Sequence, residues 1–147
     1  MTFCLDSTII EPEKNEDIKN IVVLLHGYGG DGKDISVLSL NWRRHMPNTI
    51  FICPNGHESC ALNPSGYQWF DLENDNPNYI LDEFLKAEKK LIKFLDEVKN
   101  EYNVDNNKIV LSGFSQGCMM SINVGLTSEK SFNCIVDFSG KIINLND

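Results

Sequence analysis

Gly113-Phe114-Ser115-Gln116-Gly117 is the stretch of this sequence whose residue types and spacing best suit chemistry. A serine flanked at two residues' distance by glycines is the pattern of a nucleophile held on a sharp strand-to-helix turn. The chemistry would be covalent: the hydroxyl attacks an acyl carbon once a base has taken its proton. The glycines let neighbouring backbone come close where any side chain would clash. The flanking residues supply the required setting. Ile109-Val110-Leu111 reads as a buried strand, and Met119, Met120, Ile122 and Val124 make an apolar helix immediately afterwards. The start of that helix presents free N–H groups and the positive end of its dipole. The N–H of Gln116 is therefore expected to face an oxyanion developing on the substrate.

Two other patterns point to different chemistry. Gly27-Tyr28-Gly29-Gly30-Asp31-Gly32-Lys33 follows a strand and fits the G-x-x-x-x-G-K of a phosphate-binding loop. Asp34 stands where a hydroxyl should ligate magnesium, and Asp31 puts negative charge into the loop meant to cradle phosphates. A nucleotide-binding reading also leaves the serine motif unexplained. Cys53, His57 and Cys60 could suggest zinc, but three donors without a fourth do not make a structural site. No metal is expected there.

The elements that must position Ser115 follow from hydrophobic patterning. A short first strand precedes the polar stretch 11–20. Ile21–Leu25 is a continuous apolar run, as a strand buried on both faces should be. A helix is expected from near Asp34 to before Pro47, and a second buried strand over Thr49–Cys53. Residues 54–78 read as a long loop, a length that usually carries function. A helix is expected from about Ile80 to Tyr102, where Leu81, Phe84, Leu85, Leu91, Leu95, Val98 and Tyr102 recur at helical spacing, with Asn76 or Asn78 as a candidate cap. A third strand over Lys108–Leu111, the helix from Gln116 to about Leu126 and a fourth strand over Cys134–Phe138 complete the pattern. Strands alternating with helices imply a mainly parallel sheet in one α/β domain spanning residues 1–147.

Composition narrows the classes of partner. A net charge of −8 disfavours nucleic acid and anionic membrane surfaces. No apolar run approaches the length of a membrane span, and no signal-peptide pattern opens the chain. The five cysteines, Cys4, Cys53, Cys60, Cys118 and Cys134, fit no disulfide framework. Free thiols in a cytoplasmic protein are expected.

Four segments together resemble the bacterial phospholipase/carboxylesterase family, which includes the acyl-protein thioesterases. They are LLHGYGGDG (24–32), NPSGYQWFDL (63–72), IVLSGFSQGCMMSINVGL (109–126) and IVDFSG (135–140). The resemblance implies an α/β-hydrolase fold and a serine enzyme, without metal or cofactor, that cleaves carboxylic esters or thioesters. It implies Ser115 as nucleophile and the amides of Tyr28 and Gln116 as the oxyanion hole. It places Tyr67, Gln68 and Trp69 at the border of the acyl groove; aromatic packing beneath a long loop is the alternative for Tyr67 and Trp69. In this fold the triad histidine follows the serine, so His26 is expected to pin its loop rather than act as base.

The sequence departs from the family at one point. No histidine follows Ser115; His26, His45 and His57 all precede it. Asp137 lies within a strand, before the family's acid position. The expectation is an incomplete α/β-hydrolase fold lacking its C-terminal strands, with strand 134–138 at a sheet edge open to a second copy or a partner fragment. Activity of this chain alone is expected to be very low. The rival reading is a non-catalytic remnant that binds acyl groups or a partner.

Overall fold

A computed structural model describes residues 2–14 and 17–143. In chain order the elements are β1 (Ser7–Ile10), β2 (Asn20–Leu25), α1 (Gly32–Trp42), β3 (Thr49–Pro54), β4 (Glu58–Ser59), β5 (Tyr67–Gln68), α2 (Pro77–Tyr102), β6 (Ile109–Phe114), α3 (Gln116–Thr127) and β7 (Cys134–Phe138). Five strands form one sheet in the order β1-β3-β2-β6-β7, and β4 pairs with β5 in a small hairpin within the long loop. Only β1 runs antiparallel, against β3; the β2–β3, β2–β6 and β6–β7 pairings are parallel. This is the mainly parallel α/β arrangement that the patterning implied.

Right-handed crossovers decide which face each helix covers. The step from β2 to β3 runs one way along the sheet and puts α1 on one face. The steps that reach β6 and β7 run the other way and put α2 and α3 on the opposite face. Side chains divide accordingly, because successive strand residues point to opposite sides. Ile21, Val23, Leu25, Ile50, Ile52, Ile109 and Leu111 join Phe84, Leu91, Phe94, Met120 and Val124 in the larger core. Val22, Leu24, Phe51 and Cys53 pack under α1 with Ile35 and Trp42.

The element ends differ slightly from the expectation. α1 begins at Gly32 rather than near Asp34, because Asp31 caps it by accepting the N–H of Asp34. A side chain at Gly32 would meet the carbonyl oxygen of Cys53 at 2.0 Å. The fully buried side chains of the helix are the small ones, Ser36 and Ser39, with Ile35 and Trp42 packing beside them. α2 starts at Pro77 under an Asn76 cap, with proline in the first turn where its missing N–H does no harm. β7 is an edge strand, and on the α1 side Phe114, Val136 and Phe138 remain 51%, 42% and 46% exposed.

Candidate active site

Three segments meet at the C-terminal ends of β2 and β6. The first is the turn between β6 and α3. Ser115 sits there with φ 53° and ψ −112°, a conformation that costs a non-glycine residue on the order of 1–3 kcal/mol. The surroundings hold it in place. Its N–H donates to the carbonyl of Phe138 at 2.9 Å. A Cβ on Gly113 would lie 2.3 Å from the Gly117 carbonyl, and one on Gly117 would lie 2.2 Å from the carbonyl oxygen of Leu25. Both glycines of the motif are therefore required by close backbone approach. The hydroxyl of Ser115 makes no capping bond to α3. The first-turn amides of the helix, that of Gln116 included, have no intrahelical acceptor.

The second segment is the loop after β2. Gly27 presses on the elbow: a Cβ there would meet Ser115 Cβ at 3.3 Å and Phe114 Cδ1 at 3.1 Å. Gly29 donates its N–H to Tyr67 O at 2.9 Å and Gly30 donates to Gly27 O at 3.1 Å, whereas the Tyr28 N–H has no acceptor among the described residues. The buried His26 ring holds this loop. Its Nε2 accepts the Gly56 N–H at 2.8 Å, so the proton sits on Nδ1 and is donated to Gly27 O at 2.7 Å. Burial lowers its pKa, which keeps the ring neutral. Both ring nitrogens are thus occupied, and His26 pins the loop as expected.

The third segment is 66–70. Tyr67 donates its N–H to Gly30 O at 2.8 Å, and Asn63 Nδ2 donates to Gly29 O at 2.7 Å, so this stretch straps the loop from the side. Gln68 is buried; its amide oxygen accepts the Ala61 N–H and its nitrogen donates to Glu58. Trp69 is fully buried and donates its indole N–H to His26 O at 2.9 Å. Tyr67 is half-buried and lines a small cleft with Cys4, His57 and Lys90. The three residues thus lie together beside the serine turn, two of them in packing positions.

A larger cleft of about 780 Å³ opens beside the elbow, between α1 and the ends of β6 and β7. Gly27, Tyr28, Leu38, Trp42, Phe114 and Phe138 line it, and its walls are mostly apolar. It can hold an acyl chain or an apolar polypeptide segment.

Among the described residues no imidazole is bonded to Ser115. His57 places Nε2 3.3 Å from Glu58 Oε1, and burial pulls its pKa down. His45 is exposed and its Nε2 accepts from Arg44. Asp137 faces α3, where it bonds the hydroxyl of Ser121, and burial raises its pKa to about 6. No histidine bonds to it among the described residues. Asp31 and Asn55 fill the N-terminus of α1, the latter accepting the Gly32 N–H at 2.8 Å, so a phosphate has no open cradle there. Among the described residues no group of His, Cys, Asp or Glu converges as metal ligands.

The patterning did not foresee the side chain of Gln116. Its Oε1 accepts the Trp69 N–H at 2.8 Å and its Nε2 donates to Phe70 O at 2.7 Å. The sequence shows only a glutamine next to Ser115; that it is buried to 1% exposure, with partners 46 and 47 residues away, is decided by the fold.

The model of the Phospholipase/Carboxylesterase family matches residues 6–146. The chain is 28% identical to acyl-protein thioesterase 1 of Schizosaccharomyces pombe over 149 residues, covering 95% of this chain and 63% of that protein. It is 30% identical to acyl-protein thioesterase 1 of Candida albicans, covering 88% of this chain and 60% of the relative. Among solved structures, esterase PE8 superposes with a TM-score of 0.88 at 37% identity, over 95% of this chain and 65% of its own. The Bacillus cereus carboxylesterase, at 20% identity and a TM-score of 0.73, shares the fold over 97% of this chain and 63% of its own. The chain thus spans somewhat less than two thirds of the length of these relatives.

Proposed function

Because this chain belongs to the phospholipase/carboxylesterase family, we propose that it carries the nucleophile and oxyanion hole of a serine hydrolase acting on carboxylic esters or thioesters. The observation that carries the reading is the strained Ser115 at the strand–helix junction, with the Tyr28 amide left without an acceptor among the described residues and the Gln116 amide in the first turn of the helix that follows. Ser115 attacks the acyl carbon, and the carbonyl oxygen moves toward the N–H groups of Tyr28 and Gln116. The leaving alcohol or thiol departs, and water later releases the acyl group. The segment of Tyr67, Gln68 and Trp69 braces the loop that carries the Tyr28 amide, and none of the three lines the apolar cleft beside the elbow. Tyr67 offers surface, while Gln68 and Trp69 support the segment from beneath. No step calls on a metal or cofactor.

The base is the missing part. His26 is fully bonded, and neither His45 nor His57 bonds to Ser115. The histidine and its orienting acid are assigned to polypeptide outside these 147 residues, in the same or another chain. In a serine protease, loss of the histidine alone lowers turnover about a million-fold, while the remaining apparatus keeps roughly a thousand-fold over water. The 147-residue polypeptide alone is therefore expected to hydrolyse short-chain p-nitrophenyl esters only at a trace rate. Ser115→Ala should barely change that rate. A brisk rate abolished by Ser115→Ala would show that one of the three histidines serves as base after all.

The apolar cleft supports a second reading, in which this chain binds acyl groups or a partner without catalysis. The open edge of β7 is the proposed place for a second copy or a partner fragment. Light scattering that finds a dilution-resistant monomer with little hydrophobic-dye binding would reject that edge as an interface. No helix among the described residues is long and apolar enough to cross a membrane, and a cytoplasmic location is proposed from the free thiols.

A further inference from the structure

Resting on the hydrolase reading, we propose that the side chain of Gln116 is a positioning residue that bolts the serine turn to Trp69–Phe70 and so holds both oxyanion amides on one point. A primary amide has one acceptor and two donors in fixed relation. Here both ends are used on main chain: Oε1 takes the Trp69 N–H and Nε2 gives to Phe70 O. Two such bonds fix the orientation of the segment as well as its distance. The same segment then reaches the loop after β2 twice more. Trp69 Nε1 donates to His26 O, and Tyr67 exchanges hydrogen bonds with Gly29 and Gly30. The chain of contacts runs from the residue after the nucleophile, through 67–70, to the residues flanking Tyr28. Its centre is buried, with Gln116 at 1% and Trp69 at 0% exposure, while Tyr67, Gly29 and Gly30 at its far end are partly buried. A buried polar network of this kind specifies one arrangement only when every member is satisfied. Among the described residues no other side-chain hydrogen bond ties α3 to segment 67–70.

The chemistry predicts how substitutions behave. Gln116→Met keeps nearly the same volume but leaves the Trp69 N–H and Phe70 carbonyl without partners. Gln116→Glu, when ionised, can accept from Trp69 but repels the Phe70 carbonyl. When protonated it can accept and donate as the amide does, so acid should rescue it.

Two measurements on the full chain test this. The first is amide hydrogen exchange, which does not depend on catalysis. In Gln116→Met, protection should fall at Trp69 and also at Gly29 and Tyr67, whose mutual bonds lie one segment further on. In Gln116→Glu it should return toward the wild-type value as pH falls, each pH being referred to wild type. Loss confined to Trp69, with Gly29 and Tyr67 protected as in wild type, overturns the proposal. Equal loss over the whole sheet does so too, since it would mean a general structural role. The second is phosphonylation of Ser115 by a fluorophosphonate, with imidazole added as external base and Ser115→Ala as control. Gln116→Met should lower the maximal labelling rate between about tenfold and a hundredfold without changing half-saturation. An unchanged maximal rate overturns the proposal. If Ser115 in wild type labels no faster than other serines, the hydrolase reading fails instead, and the exchange pattern still decides whether Gln116 holds the loops.

Discussion

Asp137→Asn should stabilise this protein at neutral and alkaline pH and leave it nearly unchanged in acid. Asp137 points from β7 toward α3, bonded to Ser121 Oγ and to the backbone of Gly113, with Oδ2 buried and unpartnered. Burial dominates over those two bonds and lifts its pKa from 3.8 to about 6. The titratable neighbour on α3 is Cys118, whose thiol is itself raised by burial first and by Asp137 second. A folded-state pKa above the unfolded one means that the folded protein binds the proton more tightly. The resulting stabilisation is present in full below pH 3.8 and is lost as pH rises through about 6. In a fully buried site the shift would be worth roughly 3 kcal/mol; Asp137 is half-buried, and solvent screening reduces this to roughly 1–1.5 kcal/mol. Asparagine keeps an acceptor for Ser121 and carries no charge. For a chain of this size the gain corresponds to about 3–5 °C in Tm near pH 8. Urea unfolding of both proteins at pH 4, 6 and 8 isolates the effect, because all other titrating groups are common to both. A stability difference that stays constant across the series, or one that favours wild type at pH 8, would refute the reasoning.

Ser115→Gly should raise stability by about 1 kcal/mol, because glycine adopts the positive φ without strain; an unchanged or lower midpoint in denaturant would show that the turn is not strained. Gly117→Ala should destabilise by about 2–4 kcal/mol, since its methyl would meet the carbonyl oxygens of Leu25 and His26 at 2.2 and 2.6 Å; a loss under 0.5 kcal/mol on the same denaturant scale would contradict that clash. All five cysteines should titrate with a thiol reagent in denatured, unreduced protein, and in the folded protein Cys53 should react slowest, being buried and pushed up to about 12. A titre below five in the denatured state would contradict a thiol-keeping compartment.

Much of the fold and the strained serine turn was legible along the chain because the relevant physics is local. Ile109–Leu111, then Gly113-Phe114-Ser115-Gln116-Gly117, then the apolar face of α3 announce strand, sharp turn and helix within about twenty residues. The apolar run Ile21–Leu25 declares a strand buried on both faces for the same reason. The element starts at Gly32 and Pro77 were harder to read. The first rests on a backbone approach to Cys53, and the second on which of two asparagines caps the helix. Tertiary structure alone decided how the site is held together. That His26 would take the Gly56 N–H, that Trp69 would lie beneath the loops, and that Gln116 would reach Trp69 and Phe70 all depend on contacts between residues 30 to 47 positions apart. Hydrophobic periodicity records which side of an element faces the core. It carries no information on which distant backbone group a buried amide or imidazole will find, because that is set only when strand order and crossover handedness bring the loops to the same end of the sheet.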